Sequence, residues 1–294
     1  MRTLSRRRLV PTGRGWDEAW PLLAILGGAA LALLVPRTFG DPLSVDPNAW
    51  RLSGYFAGLA LLTRLVPRLR PLASLATAFV VLAVPFSIWL AALAWTGPAP
   101  GFVGTANSLS RIAAAGVLEL VLVLALAALY RWRCPPPAPD LRLGRLPGRR
   151  ALVAAAAGSV LFLAVAFALP APLLGREGVS LLALGPPNAF AYVVGCTATA
   201  VAQEVQFRGV LLAEFERRYP VGWALAVQAV VFGVAHLAIQ YEGPAASFIP
   251  IVIGLGLLWG WLTRWTRSLL PAAVIHVVAD LFITATILSG LYGL

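Results

Sequence analysis

At 294 residues, with a mean hydropathy of +0.83 and only 12% charged side chains, the chain is too apolar for a soluble globular protein. Its formal net charge of +11 would suit a nucleic-acid binder, but the arginines lie in short stretches between apolar runs, so the sequence predicts a membrane protein with the lipid bilayer as its partner and no nucleic acid. Two cysteines, Cys134 in a linker and Cys196 in an apolar run, leave no disulfide framework and no cysteine metal cluster.

The basic N-terminal stretch MRTLSRRRLVPTGRGW shows no clear cleavage pattern and is predicted to be a cytoplasmic tail before an uncleaved first helix. Apolar runs of bilayer-spanning or nearly spanning length then follow about nine times. They lie near Trp20 to Val35, Gly54 to Val66, Leu72 to Trp95, Ile112 to Tyr130, Ala151 to Leu169, Ala189 to Leu212, Val221 to Gln240, Ala245 to Thr263 and Leu269 to Leu288. The second run is short and carries Arg64, which leaves eight helices as the alternative count. The predicted class is therefore all-α, a polytopic transmembrane helical bundle. Between the fourth and fifth runs, RWRCPPPAPDLRLGRLPGRR is proline-rich and basic and reads as an extended cytoplasmic connector. It separates residues 1–130, a tail and four helices, from residues 151–294, a five-helix back part, with 131–150 as the linker. With the N-terminus inside and nine spans, eighteen of the 23 basic residues fall in inner segments, and Arg208 lies within a helix. That bias matches the excess of positive charge expected of cytoplasmic loops and puts the C-terminus outside.

Ionisable groups inside membrane helices are costly unless paired or hydrated, so each is a functional candidate. The back part holds five: Glu204, Arg208, His236, His276 and Asp280. Glu204 and Arg208 are four residues apart, as are His276 and Asp280, and each pair therefore shares a helix face. Measured from the inner helix ends, Glu204 lies ~20 Å deep, His236 ~22 Å, His276 ~12 Å and Asp280 ~18 Å. Three helices thus bring titratable groups to similar depth, as a single polar site would require. The bland readings are a structural Glu204–Arg208 ion pair, satisfied core histidines, and Phe232 as packing. Glu119 in the fourth run is a sixth intramembrane charge; the expectation favours a local hydroxyl or backbone partner over a place beside the site.

At these residues the chain resembles the CAAX protease and bacteriocin-processing family (CPBP, also called Abi) of intramembrane proteases. The resemblance rests on QEVQFRG (Gln203 to Gly209), FGVAH (Phe232 to His236) and HVVAD (His276 to Asp280), in that order on successive helices, with RSLLPAAVIH leading into the third, and it covers roughly residues 150–294. It implies a five-helix catalytic core and an integral, multi-pass protein of the bacterial cytoplasmic membrane. The implied activity is endoproteolysis of a membrane-associated protein or peptide substrate. The implied site residues are Gln203, Glu204, Arg208, His236, His276 and Asp280: the first glutamate of the motif and the second-motif histidine activate water, and the third-motif histidine and Asn or Asp support the oxyanion. Gln203 departs from the pattern, because it stands where the family has its first glutamate and an amide does not accept a proton. Three explanations are open: another carboxylate serves as base, the chain is a non-proteolytic relative that binds proteins, or the glutamine is an engineered inactivation.

No cofactor is required by this reading. A zinc variant would draw on Glu204, His236 and His276 as ligands, but the sequence contains no contiguous HExxH, and a metal-free site is favoured. A silent scaffold or immunity-type binding protein is the second reading. Ion or solute transport comes last, since no paired repeat is evident.

Overall fold

The computed structural model describes residues 20–33, 47–95, 106–133, 142, 147–168, 186–236 and 245–292. The N-terminal tail, most of the 131–150 linker and the stretches between the remaining segments lie outside the described residues, and with them much of the arginine distribution. Described residues form helices, with no strand among them. In chain order these are α1 (Trp20–Leu33), α2 (Pro47–Leu65), a 3-10 turn (Pro67–Leu72), α3 (Ala73–Trp95), α4 (Ala106–Arg133), α5 (Arg149–Ala168) and α6 (Pro186–Glu204). The α6 rod continues through a π-helical segment (Val205–Leu211) into α7 (Leu212–Arg218), and α8 (Val221–Ala235), α9 (Ala245–Thr266) and α10 (Leu270–Tyr292) complete the bundle. Taking α6 to α7 as one rod gives nine rods among the described residues, and the molecule is an all-α membrane bundle.

Among the described residues, three segments are long and apolar enough to cross a bilayer by length and composition: Pro67–Trp89, Ala113–Arg133 and Arg149–Ala168. The helix expected to be short is not. α2 runs for 19 residues because it begins at Pro47, ahead of the predicted Gly54, but it is not among the three segments apolar enough to span. Proline suits the first position of a helix, where its ring presets φ and no N–H is needed. Its far end is set by Pro67, which pushes Val66 to extended angles (φ −102°, ψ 109°). Pro220 does the same to Tyr219 (φ −125°, ψ 156°) and separates α7 from α8.

Lipid tails are as apolar as leucine, so close packing and interhelical hydrogen bonds hold such a bundle together. One buried core runs from Leu22 in α1 to Ala279 in α10. Its longest seam is α4 against α6. Gly116 permits the close approach, because a Cβ there would stand 3.0 Å from both Gly195 O and Thr199 Oγ1. Ser53 and Ser87 share a 2.7 Å hydrogen bond between α2 and α3. The outward face of α5 shows Leu152, Val153, Val160, Leu161 and Phe167, as a lipid-facing surface should.

Candidate active site

The rod from α6 to α7 changes helix type at the charged motif: Glu204 is the last α residue and Arg208 lies in the π-helical segment. Such single π turns are frequent at functional sites, since the extra residue per turn re-aims side chains. Here they aim inward, and Glu204 and Arg208 are both fully buried. Arg208 Nη1 donates to Glu204 Oε1 at 2.8 Å, and His276 Nδ1 reaches the same oxygen at 2.7 Å. A carboxylate oxygen only accepts, so both nitrogens are donors. One oxygen of Glu204 therefore ties α6 to α10. On the other side of the ring, His276 Nε2 faces Asp280 Oδ1 at 3.4 Å, and the Asp280 side chain is about a quarter exposed.

His236 closes α8, with Nδ1 2.7 Å from Phe232 O. A carbonyl accepts, so Nδ1 carries the proton and the neutral ring offers Nε2 as its lone-pair nitrogen. His276, Asp280 and Arg208 all lie within electrostatic range of His236.

Phe232 is the wall these groups share. Its ring centroid is 4.5 Å from that of His236 and 5.8 Å from that of His276, and the Arg208 guanidinium lies 4.1 Å above it. Trp259 of α9 covers the other side, 4.5 Å from the His276 ring and 5.3 Å from the guanidinium. Gly256 lets α9 come this near, since a Cβ there would sit 3.2 Å from Phe232 Cδ1. A cation enclosed by ring faces is held by their negative quadrupoles, which compensates Arg208 for the hydrogen bonds that, among the described residues, its Nε and Nη2 do not make.

Of the six site residues predicted from sequence, the structure joins five. Glu204, Arg208, His236, His276 and Asp280 are linked by hydrogen bonds, ion pairs, shared ring contacts and electrostatic range. Gln203 is buried on α6 but bonds to none of them, and its Oε1 has no hydrogen-bond partner among the described residues. Phe232 packs, as expected, and what it packs is the site. Glu119 corrects the sequence expectation: it is 1% exposed, and among the described residues neither of its oxygens has the local hydroxyl or backbone partner predicted for it. It instead lies within electrostatic range of Asp280. The reason is its place in the buried stripe Ala115, Glu119, Val123, Ala127 and Tyr130 of α4. Among the described residues no three His, Cys, Asp or Glu side chains cluster as metal ligands.

Sequence reasoning missed two supports. Trp259 sits in an ordinary apolar run and carried no signal. Gln206 donates to Val81 O and Leu82 O, both at 3.2 Å, and its signal was Pro85 in α3, whose missing N–H leaves a carbonyl free one turn earlier.

Residues 185–282 of the chain match one family model, described as type II CAAX prenyl endopeptidase Rce1-like. That span is about a third of the chain and holds all six predicted site residues, from Gln203 to Asp280. No curated protein and no solved structure matches the chain.

Proposed function

The chain belongs, through residues 185–282, to the CAAX protease and bacteriocin-processing family, and from that premise we propose that it is an intramembrane endopeptidase acting on membrane-associated or C-terminally processed proteins. The single observation that supports it most is Glu204 Oε1 shared by Arg208 and His276 while His236 and His276 face one phenyl ring. In the proposed reaction, Nε2 of His236 polarises a water for attack on the scissile carbonyl, and a carboxylate of the site receives the proton. His276, oriented by Glu204 and Asp280, supports the oxygen that becomes negative. Donors fixed before the reaction are worth more where water is excluded, and these lie in a wall of aromatic side chains.

The reaction is proposed in its metal-free form, in the bacterial cytoplasmic membrane with the N-terminus inside. The test is cleavage of a fluorogenic prenylated peptide with a C-terminal CAAX sequence by the full chain in liposomes. His236→Ala is expected to lower turnover by about 100-fold or more with little change in melting temperature. Cleavage is expected to survive exhaustive chelation; chelator-sensitive cleavage restored by zinc would reverse the metal-free assignment. Gln203 favours a second reading, a catalytically silent scaffold or immunity-type binding protein of the same fold. Turnover that appears only in Gln203→Glu would select it.

A further inference from the structure

Hydrolysis by an activated water needs a group that takes the proton, and the charged motif offers one carboxylate that is already half engaged. Glu204 Oε1 already receives two donors, from Arg208 and His276, which leaves only its Oε2, without a hydrogen-bond partner among the described residues. The amide of Gln203 accepts no proton.

The fourth helix supplies a carboxylate with no such commitment. Glu119 is 1% exposed and, among the described residues, both its oxygens are without a hydrogen-bond partner. Leaving such a group buried is unfavourable, and a membrane helix tolerates it where function uses it. Its level in the bundle follows from its neighbours. α4 and the α6 rod run side by side, with Gly116 against Gly195 and Thr199, and Tyr130 Oη bonded to Glu214 Oε2 at 2.6 Å. Glu119, three residues after Gly116, thus falls near the level of Thr199 to Gln203. Asp280 is bracketed in the same way along α6: His276 bonds to Glu204, and Tyr192 Oη donates to Leu281 O at 2.6 Å. Both levels fall within the Tyr192–Glu204 stretch of α6, and Glu119 and Asp280 are near enough to sense each other's charge.

We infer that Glu119 is the second carboxylate of the site, the proton acceptor that Gln203 is not. This rests on the peptidase reading above. In the step, a water O–H bond breaks, its proton passes to the Glu119 carboxylate and its oxygen bonds to the scissile carbonyl carbon, placing negative charge on the carbonyl oxygen. Collapse breaks the C–N bond, and the leaving amine takes the proton back from Glu119. Water is the only co-reactant, and the carboxylate is regenerated.

The experiment compares the full chain, Glu119→Gln, Glu119→Asp, Gln203→Glu and Glu119→Gln/Gln203→Glu in liposomes on the prenylated CAAX peptide, with melting of each followed alongside. Expected is a fall in kcat of about 100-fold or more for Glu119→Gln at nearly constant KM and unlowered melting temperature. Glu119→Asp is expected to keep part of the rate, and adding Gln203→Glu to recover it to within about tenfold. A purely structural Glu119 would move melting and leave kcat, with no recovery. If the parent cleaves and Glu119→Gln cleaves as well, the inference is overturned while the peptidase reading stands. If the parent is silent and Gln203→Glu alone is active, both are overturned. If nothing cleaves, the peptidase reading fails by itself, and a melting cycle with Glu119→Gln and Asp280→Asn decides the placement: non-additive shifts uphold it, additive shifts overturn it.

Discussion

Arg208 is the residue on which the site's electrostatics turn. Fully buried, its side chain donates to Glu204 and rests among the rings of Phe232, Trp259 and Phe207. Removing one partner of a buried pair strands the other charge, which is far worse than removing both. Arg208→Ala is therefore expected to destabilise by about 3–5 kcal/mol, and Arg208→Ala/Glu204→Gln by less, in thermal melts of the detergent-solubilised protein. Equal losses in the two variants would show that Arg208 packs and does not pair. Arg208→Lys is no conservative change here, since an ammonium lacks the flat face that stacks between Phe232 and Trp259.

Among the elements, the contact between α3 and the π-helical segment repairs a defect that the sequence itself creates. Pro85 in the middle of α3 has no N–H, so the carbonyl of Val81 loses its helical partner. The side chain of Gln206, one turn from the Glu204–Arg208 pair, donates to Val81 O and to its neighbour Leu82 O. The front helices thereby grip the motif at its change of helix type. Gln206→Leu is expected to cost about 1–3 kcal/mol, because it leaves a buried carbonyl unsatisfied. The same substitution in a Pro85→Ala background should cost measurably less, since the restored N–H takes the carbonyl back. An undiminished cost in that background would count against the repair.

At the level of the whole molecule, one carboxylate fastens the predicted cytoplasmic ends of three rods. Buried Glu214 of α7 accepts from Ser74 of α3 at 2.6 Å, Tyr130 of α4 at 2.6 Å, Arg217 at 3.0 Å and Arg218 at 2.6 Å, and Arg218 also reaches Pro71 O at 2.9 Å. Beside it, Glu216 pairs with Arg264 of α9 and, at 2.7 Å, with Arg142 of the linker, whose Nη1 also approaches Arg208 O at 3.4 Å. Glu214→Ala is expected to lower stability by about 2–3 kcal/mol, discounted because Arg217 and Arg218 are partly exposed and rehydrate. It should slow cleavage only through unfolding, so activity per folded molecule, measured well below the melting temperature, is expected to be unchanged.

Some of this was legible in the letters alone. Apolar run length marked the rods, because a bilayer dictates how many apolar residues a span needs. The spacing of Glu204 with Arg208 and of His276 with Asp280 gave both charged faces, because a helix fixes which residues four apart are neighbours. Other features were out of reach of any local pattern. That one oxygen of Glu204 serves both Arg208 and His276, that Phe232 stands between two imidazoles, and that Trp259 covers them are contacts between rods distant in the chain. Glu119 shows the division most plainly: sequence established that a charge lies in the fourth helix, while only the packing of α4 on α6 decided its neighbours, because periodicity names the buried face of a helix and never the partner that face meets.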